Sequence, residues 1–271
     1  MNTPNTPVGT IKMPQVLALA IAIAALAMAL PAGAAVIYEA KVIGDPTEAT
    51  TSTLSNVAVG TNSNRLLVVT VTGENFEVVN SVKFGTADLT EAITATTGDS
   101  FPDTASIWYL LNPASGTDDV EVTVTPTRTP LGYMVSASTY YNVKQEDPTA
   151  TEKVDGSNSS DADTATLDIP ATAGGLIVEA IDANKQFALS ANAGQTELFT
   201  QIVTDEAGDN WRAGAAYEIV AADGTQTQTW DLSADAEEHG YAAVHFDAIP
   251  EPATLALLGL GGAVMLGRRR R

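Results

Sequence analysis

From Val36 to Ile249 the chain nowhere sustains apolar residues at a helical spacing; short alternating or wholly apolar runs are cut apart by Gly, Pro, Asn and Asp. Runs of that length and period suit strands of an antiparallel sheet, which makes the fold class all-β. The strand candidates are Val36–Val42, Arg65–Thr72, Val78–Phe84, Ala105–Leu111, Val120–Thr125 and Gly132–Val143, then Ala165–Ile169, Leu176–Asp182, Gln195–Val203, Trp211–Val220, Thr225–Leu232 and Tyr241–Ile249. In Val120–Thr125 the valines face one way and the polar residues the other, so one face is wet and one buried. Leu66-Leu67-Val68-Val69 and Ile107-Trp108-Tyr109-Leu110-Leu111 have no polar face, which predicts strands covered on both sides.

The runs repeat at a spacing of about 110 residues. RLLVVTVT from Arg65 lines up with GLIVEAID from Gly175, and GTADLTEAI from Gly85 with GQTELFTQI from Gly194. IWYLLNPASGTDDVEVTV from Ile107 matches AAYEIVAADGTQTQTWDL from Ala215, pairing Tyr109 with Tyr217 and Gly116 with Gly224. LGYMVSASTYYNV from Leu131 matches HGYAAVHFDAI from His239, pairing Tyr133 with Tyr241. The order and spacing of four blocks predict two equivalent sets of strands, about 36–144 and 164–249. Together they form either one pseudo-symmetric jelly-roll or Ig-like β-sandwich, or two tandem ones. The polar stretch 145–163 reads as a surface crossover between the sets and favours the single sandwich.

The chain has no cysteine, so its stability rests on core packing without disulfides. Setting aside Lys12 and Arg268–Arg271 from the 13 basic residues, and Glu251 from the 33 acidic ones, leaves 8 against 32, a net charge near −24 for the body. That charge opposes nucleic-acid and anionic-membrane partners and favours cationic ones.

Chemistry-bearing motifs are sparse. His239 and His245 are the two histidines; His245 shares a strand face with Asp247, and a solvent-facing role is expected for it. A zinc site of His/Cys type would need carboxylates to complete it. There is no G-x-S-x-G and no phosphate-binding loop between a strand and a helix, so serine-hydrolase and nucleotide chemistry lack support. With so many carboxylates a glycosidase-like pair arises by chance, and only a cleft would give it meaning. Trp108 and Trp230 fall at core positions, whereas Trp211, beside Asp209-Asn210 and Arg212, is the candidate for an exposed ligand contact. The oxygen-rich stretch from Asp155 to Asp163 could hold Ca²⁺, but it lacks EF-hand spacing and reads first as a solvated loop.

Both ends read as addresses. Residues 1–34 have the layout of a secretory signal peptide: a polar start with Lys12, an apolar stretch from Val16 to Leu30, and small residues up to a cleavage site after Ala34. At the other end, Pro250-Glu251-Pro252 precedes an apolar run at 253–267 and then Arg268, Arg269, Arg270 and Arg271. As a transmembrane helix the run is shorter than the roughly 20 residues a bilayer core asks for, which suits temporary anchorage. The arginines favour the cytoplasmic side and leave the body outside. The two prolines fix φ and remove two N–H donors, so the tripeptide reads as an extended, accessible segment.

Pro250-Glu251-Pro252, the short glycine-containing apolar run and the arginines resemble the PEP-CTERM sorting signal of Gram-negative bacteria. The resemblance implies processing by a membrane-embedded exosortase, a cysteine protease or transpeptidase, and delivery to the cell surface or extracellular matrix. The body more loosely resembles a β-sandwich module of bacterial surface proteins, through RLLVVTV, VNSVKFGTADLT, IWYLLNPASGTDDVEVTV and STYYNVKQEDP between Arg65 and Pro148. That resemblance implies an architecture and no catalytic residue. The expectation is a signal peptide (1–34), a β-sandwich body (35–249) and a sorting tail (250–271). The function expected is a non-enzymatic structural or adhesive matrix protein without a cofactor, with extracellular polysaccharide as a partner. The alternative is a carbohydrate-binding module or glycan-active enzyme on the same sandwich.

Overall fold

The computed structural model of the chain describes residues 34–97, 102–127, 132–184, 189–204 and 210–250, without the side chains of 77, 155–163, 204 and 233–237. The expected leader, apart from Ala34, and the tail beyond Pro250 lie outside the described residues. The first nine strands are β1 (Ile37–Ile43), β2 (Thr51–Val59), β3 (Leu66–Glu74), β4 (Phe76–Phe84), β5 (Ala87–Asp88), β6 (Thr90–Thr96), β7 (Asp103–Leu111), β8 (Gly116–Pro126) and β9 (Gly132–Tyr141). The rest are β10 (Ala150–Ala171), β11 (Leu176–Asn184), β12 (Ser190–Ala191), β13 (Thr196–Thr204), β14 (Asn210–Ile219) and β15 (Gly224–Phe246). They form sheet I (β1-β9-β3-β7-β6), sheet II (β2-β8-β4-β5) and sheet III (β10-β15-β11-β14-β13, with β12 on β15), all antiparallel.

The apolar patterns place the sheets. Val120, Val122 and Val124 of β8 point into a core shared with Leu67, Val69 and Val71 of β3, so sheets I and II make a sandwich. The opposite face of β3 carries Leu66 and Val68 into a second core, shared with Leu176, Val178 and Ala180 of β11. The strands expected to be covered on both sides are therefore the ones between two layers. In the second half β10 and β15 form a long ribbon whose register shifts between Ser157 and Thr164. Its Ala165–Ala171 and Trp230–Leu232 portion packs across Ile177, Ile181 and Tyr241 of the same sheet. The sandwich is thus built twice, back to back.

The strand order of sheet I recurs in sheet III. β1, β9, β3, β7 and β6 of sheet I are matched in place by the first half of β10, the last part of β15, β11, β14 and β13, which follow in the same order across sheet III, so the second set of strands starts at Ala150, ahead of the expected 164. Val68 stands opposite Tyr109 as Val178 stands opposite Tyr217, so these tyrosines are equivalent. The bulge between Glu91 and Ile93 recurs between Glu197 and Phe199. Gly116 and Gly224 open equivalent strands with φ of 124° and 132°, a region that only glycine enters freely.

Two expectations need correction. Tyr133 and Tyr241 are not equivalent: Gly73 faces Tyr133 where its counterpart Ala183 faces His239, and Tyr241 takes the place of Val135. The slip is an even number of residues, so both tyrosines still point into their outer cores, and the hydrophobic pattern cannot register the error. From Ala150 on, the stretch expected to be a crossover is strand, paired to β15 from His245 backwards. As an edge strand of sheet III, it can be polar without cost to the core.

Between sheets I and III the same aromatic contact is made twice. Tyr109 meets Phe246 edge to face at 5.5 Å, and the counterparts Tyr217 and Tyr140 meet at 5.7 Å. A Cβ on Gly240 would sit 2.9 Å from the Asp103 carbonyl and 3.2 Å from that of Ala95, so the sheets approach backbone to backbone there. At that end the apolar lining gives way to buried Asp103 and Asp182, with Glu74 opposite Asp103 in the register. Burial, then the neighbouring Asp103 and Glu74 charges, push the Asp182 carboxyl well above its usual range. Double-mutant cycles on Tyr109/Phe246 and Tyr140/Tyr217 should give matching couplings of about 0.5–1.5 kcal/mol; a null coupling at one pair would break the equivalence. Because its folded carboxyl is raised, Asp182 contributes stability that is fully present in acid and lost as pH rises. Asp182→Asn should therefore gain on the parent at pH 8 and show a shallower fall from pH 5 to 8 in urea unfolding; an unchanged slope would remove Asp182 as a source.

Candidate functional site

The Pro250-Glu251-Pro252 tripeptide begins where the described chain ends, so the exit geometry is what the fold contributes to it. After β15 the chain stays attached for three residues: Ala248 bridges Val143, and the Ile249 N–H donates to the Asn142 carbonyl at 3.0 Å. Thr172 Oγ1 donates to Asp247 Oδ1 at 2.7 Å, and Lys144 Nζ lies 3.9 Å from Asp247 Oδ2. Asn142, at φ 65°, also donates its Nδ2 to the Ala35 carbonyl at 3.3 Å. The Val36 N–H donates to Gly174 at 2.8 Å, with the Val36 side chain buried. One asparagine therefore holds both Ala35, the first residue after the expected leader cleavage, and Ile249, the last before Pro250-Glu251-Pro252. Pro250 is exposed. Glu251, Pro252, the apolar run 253–267 and Arg268–Arg271 lie outside the described residues. Among the described residues no helix is long and apolar enough to cross a membrane.

The body spends its chemistry-bearing side chains on packing. Trp211, the expected exposed contact, is fully buried with Met134, Leu198 and Phe199, because strand alternation turns it inward between exposed-looking neighbours. It offers no free face for stacking. Trp108 and Trp230 are buried, as their core positions predicted. Both histidines are buried as well, against the expectation of a solvent-facing His245. His245 Nε2 accepts from the Thr172 N–H at 3.3 Å, which leaves the proton on Nδ1 to donate to Thr149 Oγ1 at 2.8 Å. Burial lowers its pKa against the pull of Asp247, whose Oδ1 is 4.0 Å from Nδ1. The ring ties both ends of β10 to β15 as a structural strap. Burial lowers the His239 pKa too.

Two features escaped the sequence reading. One is the Asp103/Asp182 pair described above. The other is Glu179, fully buried in the second outer core, whose Oε2 accepts from Gln195 Nε2 at 2.7 Å, Trp230 Nε1 at 3.1 Å and the Tyr241 hydroxyl at 2.5 Å. Burial pushes its carboxyl up to about 7; the three donors pull the other way, and Glu218 adds to the rise. The alignment of GLIVEAID with RLLVVTVT held the signal for both, setting Glu179 against Val69 and Asp182 against Thr72. Among the described residues no group of three or more His, Asp or Glu is placed to hold a metal. The side chains of the Asp155–Asp163 stretch, expected as a Ca²⁺ candidate, lie outside the described ones.

Comparison with known proteins places the tail alone. No curated protein and no solved structure matches the chain. Residues 248–271 match the PEP-CTERM protein-sorting motif, whose first two residues, Ala248 and Ile249, are held by the fold and whose third, Pro250, is exposed. The chain therefore carries a PEP-CTERM sorting motif, which routes it through an exosortase-type membrane enzyme for export and transient membrane retention on the way to the cell surface.

Proposed function

We propose that this is a non-enzymatic surface or matrix protein of a Gram-negative bacterium, structural or adhesive, which works without a cofactor and has extracellular polysaccharide as its partner. The observation that carries this reading is the pairing of a surface-sorting motif with a body whose tryptophans and histidines are buried in its cores. An acidic body stays soluble and apart from anionic membranes once its tail is cut, which suits release into a matrix. The reading of the tail is equally specific: the apolar run and arginines retain the chain, and Pro250-Glu251-Pro252 is the element read for release.

Retention and release should separate on mutation. With Pro250, Glu251 and Pro252 all changed to alanine, the protein should be exported yet accumulate uncut in the inner membrane, whereas deletion from Ala253 onward should free it unsorted. Intact-mass measurement and membrane fractionation in a host carrying the exosortase make the comparison. Efficient cutting of the triple variant would reduce the tail to an anchor. For the body, residues 35–249 should cosediment with the producing cell's exopolysaccharide, with or without Ca²⁺, and release no reducing ends. Released reducing ends would make it a glycan-active enzyme instead, and failure to cosediment would remove the polysaccharide.

A further inference from the structure

The two halves share a fold but not a core. Aligned by register, Val69, Val120, Val122 and Val135 of the first outer sandwich stand where the second has Glu179, Gln228, Trp230 and Tyr241. All four valines are buried in one apolar cluster, so the architecture itself has no need of polar groups there. In the second half the positions are filled by a hydrogen-bonded set centred on one carboxyl, a costly choice in an interior unless the carboxyl is neutral or paired with a cation.

Among the described residues no cation pairs with Glu179. From β15, Trp230 and Tyr241 donate to its Oε2; from the turn before β13, Gln195 does the same. From β14, Glu218 brings a second carboxylate, itself holding Gln228 Nε2 at 2.7 Å, and its charge disfavours ionisation of Glu179. Arg212 and His239 lie further along the same face, Arg212 opposite Ala183 on β14 and His239 opposite Ala183 on β15, and neither bonds to Glu179. Asp182 points from the other face of β11 into the central interface. Three donors crowd one oxygen of Glu179, and the other, Oε1, is buried without a hydrogen-bond partner. A carboxylate would leave part of its charge on that bare oxygen, out of reach of water; a carboxylic acid can carry its proton there.

We propose that Glu179 is a proton-operated catch of the second half: protonated, it stays buried among Gln195, Trp230 and Tyr241 with β12 and the start of β15 closed against β11; ionised, its buried charge favours opening of these strands to water, against the pull of the three donors, while the first half stays closed. The sign follows from the position of the group. Its folded carboxyl is raised to about 7 from an ordinary 4.5, so its stabilising contribution is complete below the lower value and lost as pH climbs to the upper one. Over that window each pH unit should raise the local opening constant of the second half by about tenfold.

Amide hydrogen exchange on the full-length body, corrected for intrinsic rates, reads this directly. Between pH 5 and 7, protection in 189–204 and 224–232 should fall at about that rate, while 66–84 and 116–126, which hold the valine core, should change far less. Glu179→Gln keeps the shape and cannot ionise, so it should flatten the second-half response and leave any fall due to Asp182 in place. The same slope in the glutamine variant, or equal slopes in the two halves, would overturn the proposal. Should that variant fail to fold, carbon-13 carboxyl shifts of the parent decide: one glutamate titrating near neutrality is required, and ordinary titration of every glutamate would overturn it.

Discussion

Everything in this fold depends on sheets I and III meeting face to face. Neither half can close alone, because β3 and β11 are buried on both sides and each needs the other's sheet to cover the face its own sandwich leaves open. The aromatic pairs Tyr109–Phe246 and Tyr140–Tyr217 sit on either side of that seam as one contact repeated, and Tyr38 extends it by stacking on Tyr217 at 5.1 Å. In a chain without disulfides this central layer does what a covalent staple does elsewhere, joining distant parts of the sequence. It also explains why the seam tolerates buried acids only at one end, where Gly240 lets the backbones approach and little apolar area remains to be gained.

Duplication gives an internal control that single-copy folds lack. Where the halves agree, as at the paired bulges and the hairpin glycines, the feature belongs to the architecture. Where they differ, one half shows what the other could have been. The first outer core is aliphatic; the second trades four valines for Glu179, Gln228, Trp230 and Tyr241, and gains a hydrogen-bond network in exchange for dry packing.

How much of this could be read beforehand varies strand by strand. β3, β7 and β8 were plain because hydrophobic alternation or its absence maps directly onto one or two covered faces. β2 was hidden, since its bulge between Leu54 and Val57, with Asn56 at φ 62°, interrupts the period that identifies a strand. β6 was lost for the same reason at Glu91. The early part of β10 is an edge whose polar residues mimic a loop. Trp211 misled because its chain neighbours are polar, although neighbours on a strand face the opposite way. The histidines misled for a different reason: pattern alone cannot tell a polar residue with a satisfied partner in the core from one in water. The sorting motif was legible because it lies in linear order and needs no tertiary partner.

Asn142 adds a mechanical consequence. Because Ala35 and Ile249 are fastened to the same residue, tension applied between the two ends of the body falls first on a few hydrogen bonds at one corner. A body tethered through both ends would hang first from that corner. Pulling on it would strip the last residues of the chain first, in the manner of opening a zip, long before any sheet is sheared.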